Sequence, residues 1–256
     1  MGTLDYWHVQ DLWVSEADLR VVKGLSGALA LEAAVPFRLV RDRIRFEDDA
    51  RQPYVPPVPD THHRNETLAR VADVRVALQA ARVAPPWTFT ASAGAYLPTG
   101  RTESNPFVLG RAGQRHQHIQ FGTGTVDPMM SAAASRRVGM WSLTTSTYAR
   151  LTLAANDKGY RAGNRFGASL SAARAFHGGW AARAGLDAAR EQPERWDGRI
   201  EEEGNLGRTD LFLSLGGSRP LAGAGTLGLS LRVPLVSKVQ GPQVDLPLVV
   251  QLVLSR

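Results

Sequence analysis

Arg165-Phe166-Gly167-Ala168-Ser169-Leu170-Ser171-Ala172 and, after a glycine turn, Trp180-Ala181-Ala182-Arg183-Ala184-Gly185-Leu186-Asp187-Ala188-Ala189 share one beat. Phe166, Ala168, Leu170 and Ala172 fall on one parity; Arg165, Gly167, Ser169 and Ser171 fall on the other. The second stretch sets Trp180, Ala182, Ala184, Leu186 and Ala188 against Arg183, Gly185, Asp187 and Ala189. Leucine-rich versions follow at Leu211, Leu213, Leu215, then Leu227 to Leu235, then Leu246 to Leu254. A period of two is that of a β-strand, whose successive side chains point to opposite faces. One face is therefore apolar and the other small, polar or charged. A soluble β-sandwich has the same beat, so the rest of the chain must say what the apolar face meets.

Working outward, the alternation divides the chain into eleven strands, near 12–23, 28–41, 68–81, 87–98, 124–135, 141–152, 162–176, 180–191, 208–217, 225–236 and 244–255. A twelfth is expected near Met1 to Trp13 or upstream of the chain. Connections alternate: short ones at Gly24, Pro85, Arg137, Gly178 and Ala222, longer polar ones between them. Short turns on one rim and long loops on the other are the layout of an outer-membrane barrel. The expected fold is all-β: one domain over residues 1–256, an antiparallel transmembrane β-barrel of about twelve strands.

Trp87, Trp141 and Trp180 each follow a short turn and share the apolar parity. Indole favours the headgroup level, so these three are expected to form a membrane girdle; in a sandwich they would be core residues. The charges Glu32, Arg38, Asp73, Arg75, Asp127, Arg150, Arg165, Arg183, Asp187, Asp210 and Arg232 take the other parity. A charge facing lipid at the midplane costs about 2–4 kcal/mol and far less in a hydrated lumen, so these are the candidate lumen-lining residues. Arg174 stands on the apolar parity, near a strand end where it can snorkel to headgroups.

Composition narrows the function classes. The chain has 256 residues, 43% hydrophobic, with no run of about 18 apolar residues that would mark a membrane helix. With no cysteine there is no disulfide framework. The formal net charge is +6, but the arginines are dispersed and no nucleic-acid motif accompanies them. Met1 to Gln10 carries no basic stretch followed by an apolar one. An exported barrel is expected to have such a leader, so the chain reads as the mature form or as starting downstream of it.

Val35-Pro36-Phe37, Gly94-Ala95-Tyr96-Leu97-Pro98-Thr99-Gly100 and His116-Gln117-His118-Ile119-Gln120-Phe121-Gly122-Thr123-Gly124-Thr125 resemble the bacterial outer-membrane transporters of the MetA pathway of phenol degradation. The resemblance runs over about residues 15 to 256. It departs at Arg256, where many outer-membrane barrels end on an aromatic residue. It implies passage of hydrophobic or aromatic compounds, and no catalytic residues.

His62, His63, His116 and His118 lie in long segments of one rim, and His-x-His on a strand presents both imidazoles on one face; Asp60 or Glu66 would complete a metal site. Solvated loop histidines are the favoured alternative. Glu201-Glu202-Glu203 beside Asp197 suits a divalent cation or a lipopolysaccharide bridge, or is a plain solvated loop. Gly122-x-Gly124 lacks the helix and lysine of a phosphate loop, and no Gly-x-Ser-x-Gly is present, so no cofactor and no enzyme activity are expected. The expected function is passive passage of a small solute across a bacterial outer membrane. The alternative is a closed barrel anchoring a partner protein through its long loops. Expected partners are outer-membrane lipid, lipopolysaccharide and the solute, not nucleic acid.

Overall fold

A computed structural model describes residues 6–56, 65–221, 225–241 and 243–255. The strands are β1 (Trp7–Gly24), β2 (Leu29–Glu47), β3 (Glu66–Val71), β4 (Val74–Ala84), β5 (Trp87–Leu97), β6 (Asp127–Val138), β7 (Trp141–Arg150), β8 (Tyr160–Arg161), β9 (Arg165–Ala175), β10 (Ala181–Glu191), β11 (Arg195–Trp196), β12 (Arg208–Leu221), β13 (Gly225–Val239) and β14 (Val249–Ser255). One short helix, α1 (Pro106–Arg111), interrupts them. The main sheet runs β1-β2-β4-β5-β6-β7-β9-β10-β12-β13-β14, antiparallel at every step, with β3 beside β4 on β2. It curls into a half-barrel. Among the described residues no pairing joins β14 to β1. Residues 7–13 lengthen β1 rather than forming a further strand; the twelfth strand of the sheet is β3.

The two-residue beat survives as burial, inverted relative to a water-soluble protein. Leu31, Leu78, Leu143, Leu170, Leu186, Leu229 and Leu252 are exposed on the outer face, Leu170 at 62% and Leu252 at 69%. On the inner face Glu32 is 2% exposed, Asp73 4%, Asp127 0% and Asp210 4%. Cross-strand partners keep to one face, as a regular ladder requires. One inner row runs Glu32, Ala77, Gly94, Met129, Arg150, Arg165, Glu191 and Arg208 across eight strands.

Two irregularities break the beat. Between the pairs Ala34↔Arg75 and Phe37↔Val71, residues 35 and 36 of β2 face residues 72, 73 and 74. Pro36 has no N–H to give, and its carbonyl takes the Ala72 N–H at 2.9 Å. The extra residue is a bulge that releases Asp73 from the ladder. The second shift lies between Leu211 and Phe212, which pair with Val236 and Pro234. Leu235 is skipped, so Val236, not Leu235, continues the apolar row of β13.

The short connections at Gly24, Pro85, Arg137 and Gly178 match the expected ones, with the strands extending further into them; Ala222 lies outside the described residues. Arg136, Arg137 and Val138 belong to β6, and the turn shrinks to Gly139-Met140, where φ of +60° at Gly139 suits a residue without Cβ. The longer connections differ more. Asn105 caps α1, its side chain accepting from the N–H groups of Phe107 and Val108, and Pro106 fits the first helical turn.

The register itself is testable in a chain without native cysteine. Leu229 and Leu252 are opposite one another, whereas Leu229 and Val253 lie on opposite faces. The double substitution Leu229→Cys/Leu252→Cys is expected to form an intramolecular disulfide under mild oxidation, seen as a reductant-reversible shift in gel mobility. Leu229→Cys/Val253→Cys is expected to form none.

Candidate functional site

The inner face organises around Arg150. Its Nη2 lies 2.6 Å from Asp127 Oδ2 and 2.8 Å from Asp73 Oδ2, and its Nε donates to Asp127 Oδ2 at 3.0 Å. The guanidinium centre is 4.0 Å from the Tyr96 ring centroid, and the Tyr148 hydroxyl reaches Tyr96 Oη at 3.3 Å. One cation between two buried carboxylates leaves a negative charge to be solvated by the protein. Neutral donors do this. Asp73 accepts from Gly100 N at 3.1 Å, Thr123 N at 3.0 Å and Thr123 Oγ1 at 3.3 Å; Asp127 accepts from Thr125 Oγ1 at 2.7 Å.

These donors come from the connection between β5 and β6, so the charge cluster also pins that connection against the inner face. Its two limbs cross with no room for a side chain. A Cβ on Gly100 would meet the Phe121 carbonyl oxygen at 2.4 Å, and one on Gly122 would meet Asp73 Oδ1 at 2.3 Å. Beyond the crossing, Phe107 of α1, Tyr160, Ala162 and Trp196 form a buried apolar cluster that joins three connections. Asn105 Nδ2 donates to Asp197 Oδ2 at 2.8 Å, and Asn156 Nδ2 to the Thr123 carbonyl at 3.0 Å.

The other predicted inner-face residues take separate places. Glu32 pairs with Arg75 and Gln79, and with Arg20 at 3.6 Å. Arg38 pairs with Glu16 at 2.7 Å, Arg165 with Glu191 at 3.2 Å and Arg232 with Asp187 at 3.4 Å. Asp210 accepts from Arg208 at 2.7 Å and from Ser237 at 2.8 Å. Arg183 stands opposite Gly216 and Ala173, with no ion pair among the described residues. Between these groups the face is small and hydroxylated: Ser92 meets Ser131 at 2.7 Å, and Ser146 meets Ser169 at 2.7 Å. A hollow of about 350 Å³ opens there toward the short-turn rim, lined by Gly24, Gln79, Ala81, Thr90, Ser92 and Ser131.

Tyr96, Tyr148 and Phe212 are inner-face aromatics that the reading of charges passed over; their parity alone placed them there. Trp87, Trp141 and Trp180 are exposed beside the short turns on the outer face. Arg174 joins them, its guanidinium 5.7 Å from the Trp141 ring centroid.

His116 and His118 lie outside any strand, ring to ring at 5.1 Å, with His118 edge-on to Phe107 at 5.4 Å. His116 Nδ1 is 2.9 Å from the Gln114 carbonyl, and Glu66 is engaged by Gln117. His62, His63 and Asp60 lie outside the described residues. Among the described residues no three metal-ligating side chains converge.

A crystal structure of an outer membrane channel from Pseudomonas putida F1 superposes with a TM-score of 0.61 over 93% of this chain and 80% of that one, at 16% identity. The likeness is one of fold. No family model and no curated protein matches the chain. The fold is that of a β-barrel outer membrane channel.

Removing Arg150 leaves two buried carboxylates without their cation, a change that costs about 3–5 kcal/mol. Arg150→Ala is expected to lower the urea midpoint of unfolding and to expose the connection 99–125 to protease, with Arg150→Lys in between.

Burial of the Glu194 carboxyl pushes it above its usual range, against the hydrogen bonds it accepts from Asn205 N and Trp196 Nε1. The folded loop therefore holds this proton more tightly than the unfolded chain. The packing is strongest below the ordinary carboxylate value and weakens as pH rises through the raised one. Hydrogen exchange at residues 195–205 is expected to quicken over that rise in the wild type. Glu194→Gln should remove that part of the pH dependence.

Proposed function

We propose that this chain is a channel of a bacterial outer membrane, carrying a small solute passively along the inner face of its barrel. The observation that carries the reading is the inverted burial: leucine, valine and tryptophan outside, paired and hydrogen-bonded carboxylates inside. Such an outer face suits lipid, and such an inner face suits a hydrated lumen. The candidate lumen residues then divide the path in two. Toward the long-loop rim, Arg150 with Asp73 and Asp127 forms the narrow, ordered part. Toward the short-turn rim, hydroxyls and alanines leave space and Arg183 supplies an uncompensated positive charge.

The structural neighbour from Pseudomonas putida F1 is itself an outer membrane channel, which supports this reading. The motif resemblance to the phenol-pathway transporters extends it to a hydrophobic or aromatic solute. Phe212, Tyr96 and Tyr148 are the inner-face aromatics against which such a solute would rest. Lipopolysaccharide or a partner protein would meet the long-loop rim, where Glu202 and Glu203 are exposed.

A second reading, a closed barrel that anchors a partner, is favoured by one observation. The connections after β5, β7 and β10 interlock through Phe107, Tyr160 and Trp196. Conductance in planar bilayers separates the two. Small channel events are expected from the wild type and larger ones from Asp73→Ala, whose connection between β5 and β6 is unpinned. Silence from both proteins, inserted and folded, would leave the anchoring reading.

A further inference from the structure

The outer face at the short-turn rim has a repeating arrangement that a girdle of aromatics does not need. Arg136 lies directly across the strand pair from Trp87, and its guanidinium sits 5.5 Å from the indole centroid. Arg174 is placed likewise over Trp141, at 5.7 Å, and is also 5.2 Å from Phe176. Arg219 sits 5.0 Å from Trp180. The three pairs bridge β5–β6, β7–β9 and β10–β12, so the motif recurs around the rim. Lys23 and Arg82 extend it on the same face, opposite Leu31 and Phe89. Among the described strand residues, the outer face carries acids only at Asp11 and Glu47. Both stand at the opposite rim, and both pair with Arg45.

None of the five basic groups has an ion pair among the described residues, and Arg174 Nε is buried without a hydrogen-bond partner. Stacking on an indole holds a guanidinium at a fixed depth and leaves its N–H edge free. That edge presents parallel donors with the geometry of a phosphodiester. The geometry points to a ring of sites for anionic phospholipid headgroups, of the phosphatidylglycerol class, at the short-turn rim. This rests on the membrane reading above. In it the short turns face the periplasm, where the leaflet is phospholipid, and the ring would set the depth and direction of the barrel.

The test uses the whole chain in phosphatidylcholine vesicles holding a minor fraction of brominated-chain phosphatidylglycerol or, separately, of brominated-chain phosphatidylcholine. With the exposed Trp7 and Trp13 of the other rim replaced (W7F/W13F) in every variant, Trp87, Trp141 and Trp180 report contact by fluorescence quenching. Roughly three- to fivefold stronger apparent binding of the anionic lipid is expected in the wild type, as one basic side chain at an anionic surface provides. The preference should vanish in 1 M salt and in the triple variant R136Q/R174Q/R219Q, but persist in R41Q/R43Q, altered at the other rim. Equal quenching by the two lipids in folded, inserted wild type would overturn the ring while leaving the barrel. So would an undiminished preference in the triple variant. Failure of the wild type to insert, shown by loss of its heat-modifiable gel band, would overturn the membrane reading with it. If the triple variant does not fold, the wild-type lipid comparison and its salt dependence decide alone.

Discussion

The contact between Arg150 and the carboxylates of Asp73 and Asp127 is the constraint on which the organised end of this molecule depends. Each partner is held by a different kind of structure. Arg150 ends β7, Asp127 begins β6, and Asp73 occupies a bulge that Pro36 forces between β3 and β4. Because one guanidinium cannot neutralise two buried carboxylates, the surplus charge draws in backbone and hydroxyl donors. Those donors belong to the connection 98–126, which is thereby folded against the sheet. The glycines at 100 and 122 permit this crossing, since a Cβ at either would collide with backbone or carboxylate. Residues 35–37, 99–100 and 122–123 therefore meet at one place. Val35-Pro36-Phe37 makes the bulge, Thr99-Gly100 and Gly122-Thr123 supply the donors.

The remainder of the sheet follows from a weaker but more extensive pattern. Away from the rims the outer rows are mostly apolar, and the inner rows mix charged, hydroxylated and small residues. The outer rows gain nothing from burial within the chain, so their stability must come from what surrounds them. The inner rows satisfy themselves through pairs such as Arg38–Glu16 and Arg232–Asp187 and through the serine contacts. On the membrane reading proposed above, lipid supplies that surrounding, and closed sheets of strands are one of the two ways a chain can cross it.

Much of this was legible in the residues. Period-two alternation is a local property, so the strands, their faces and the short turns could be read from neighbours along the chain. Register preserves parity across a regular ladder, so Asp187 and Arg232 lie on the same face of the sheet, 3.4 Å apart. Where the ladder is irregular the reading failed by one residue: Leu235 was placed in the outer row that Val236 continues. The helix at Pro106–Arg111 was passed over although Asn105-Pro106 is a capping signal, since one short turn of helix carries no periodicity. His116 and His118 were expected as loop histidines, solvated or holding a metal; they do lie in a connection, but His116 is buried and His118 packs edge-on against Phe107.

The residues alone thus determined which side chains share a face and where the short turns begin, because these depend on contacts a few positions apart; the division of the expected strand 68–81 into β3 and β4 came only with their pairing to β2. Only the tertiary structure decided which charges become partners. Asp73 and Arg150 are 77 positions apart, Phe107 and Trp196 still further, and no local pattern encodes their meeting. The same is true of the arginines across from Trp87, Trp141 and Trp180. Arg174 stands out in the chain by its parity, but only the register of adjacent strands brings it, Arg136 and Arg219 over an indole.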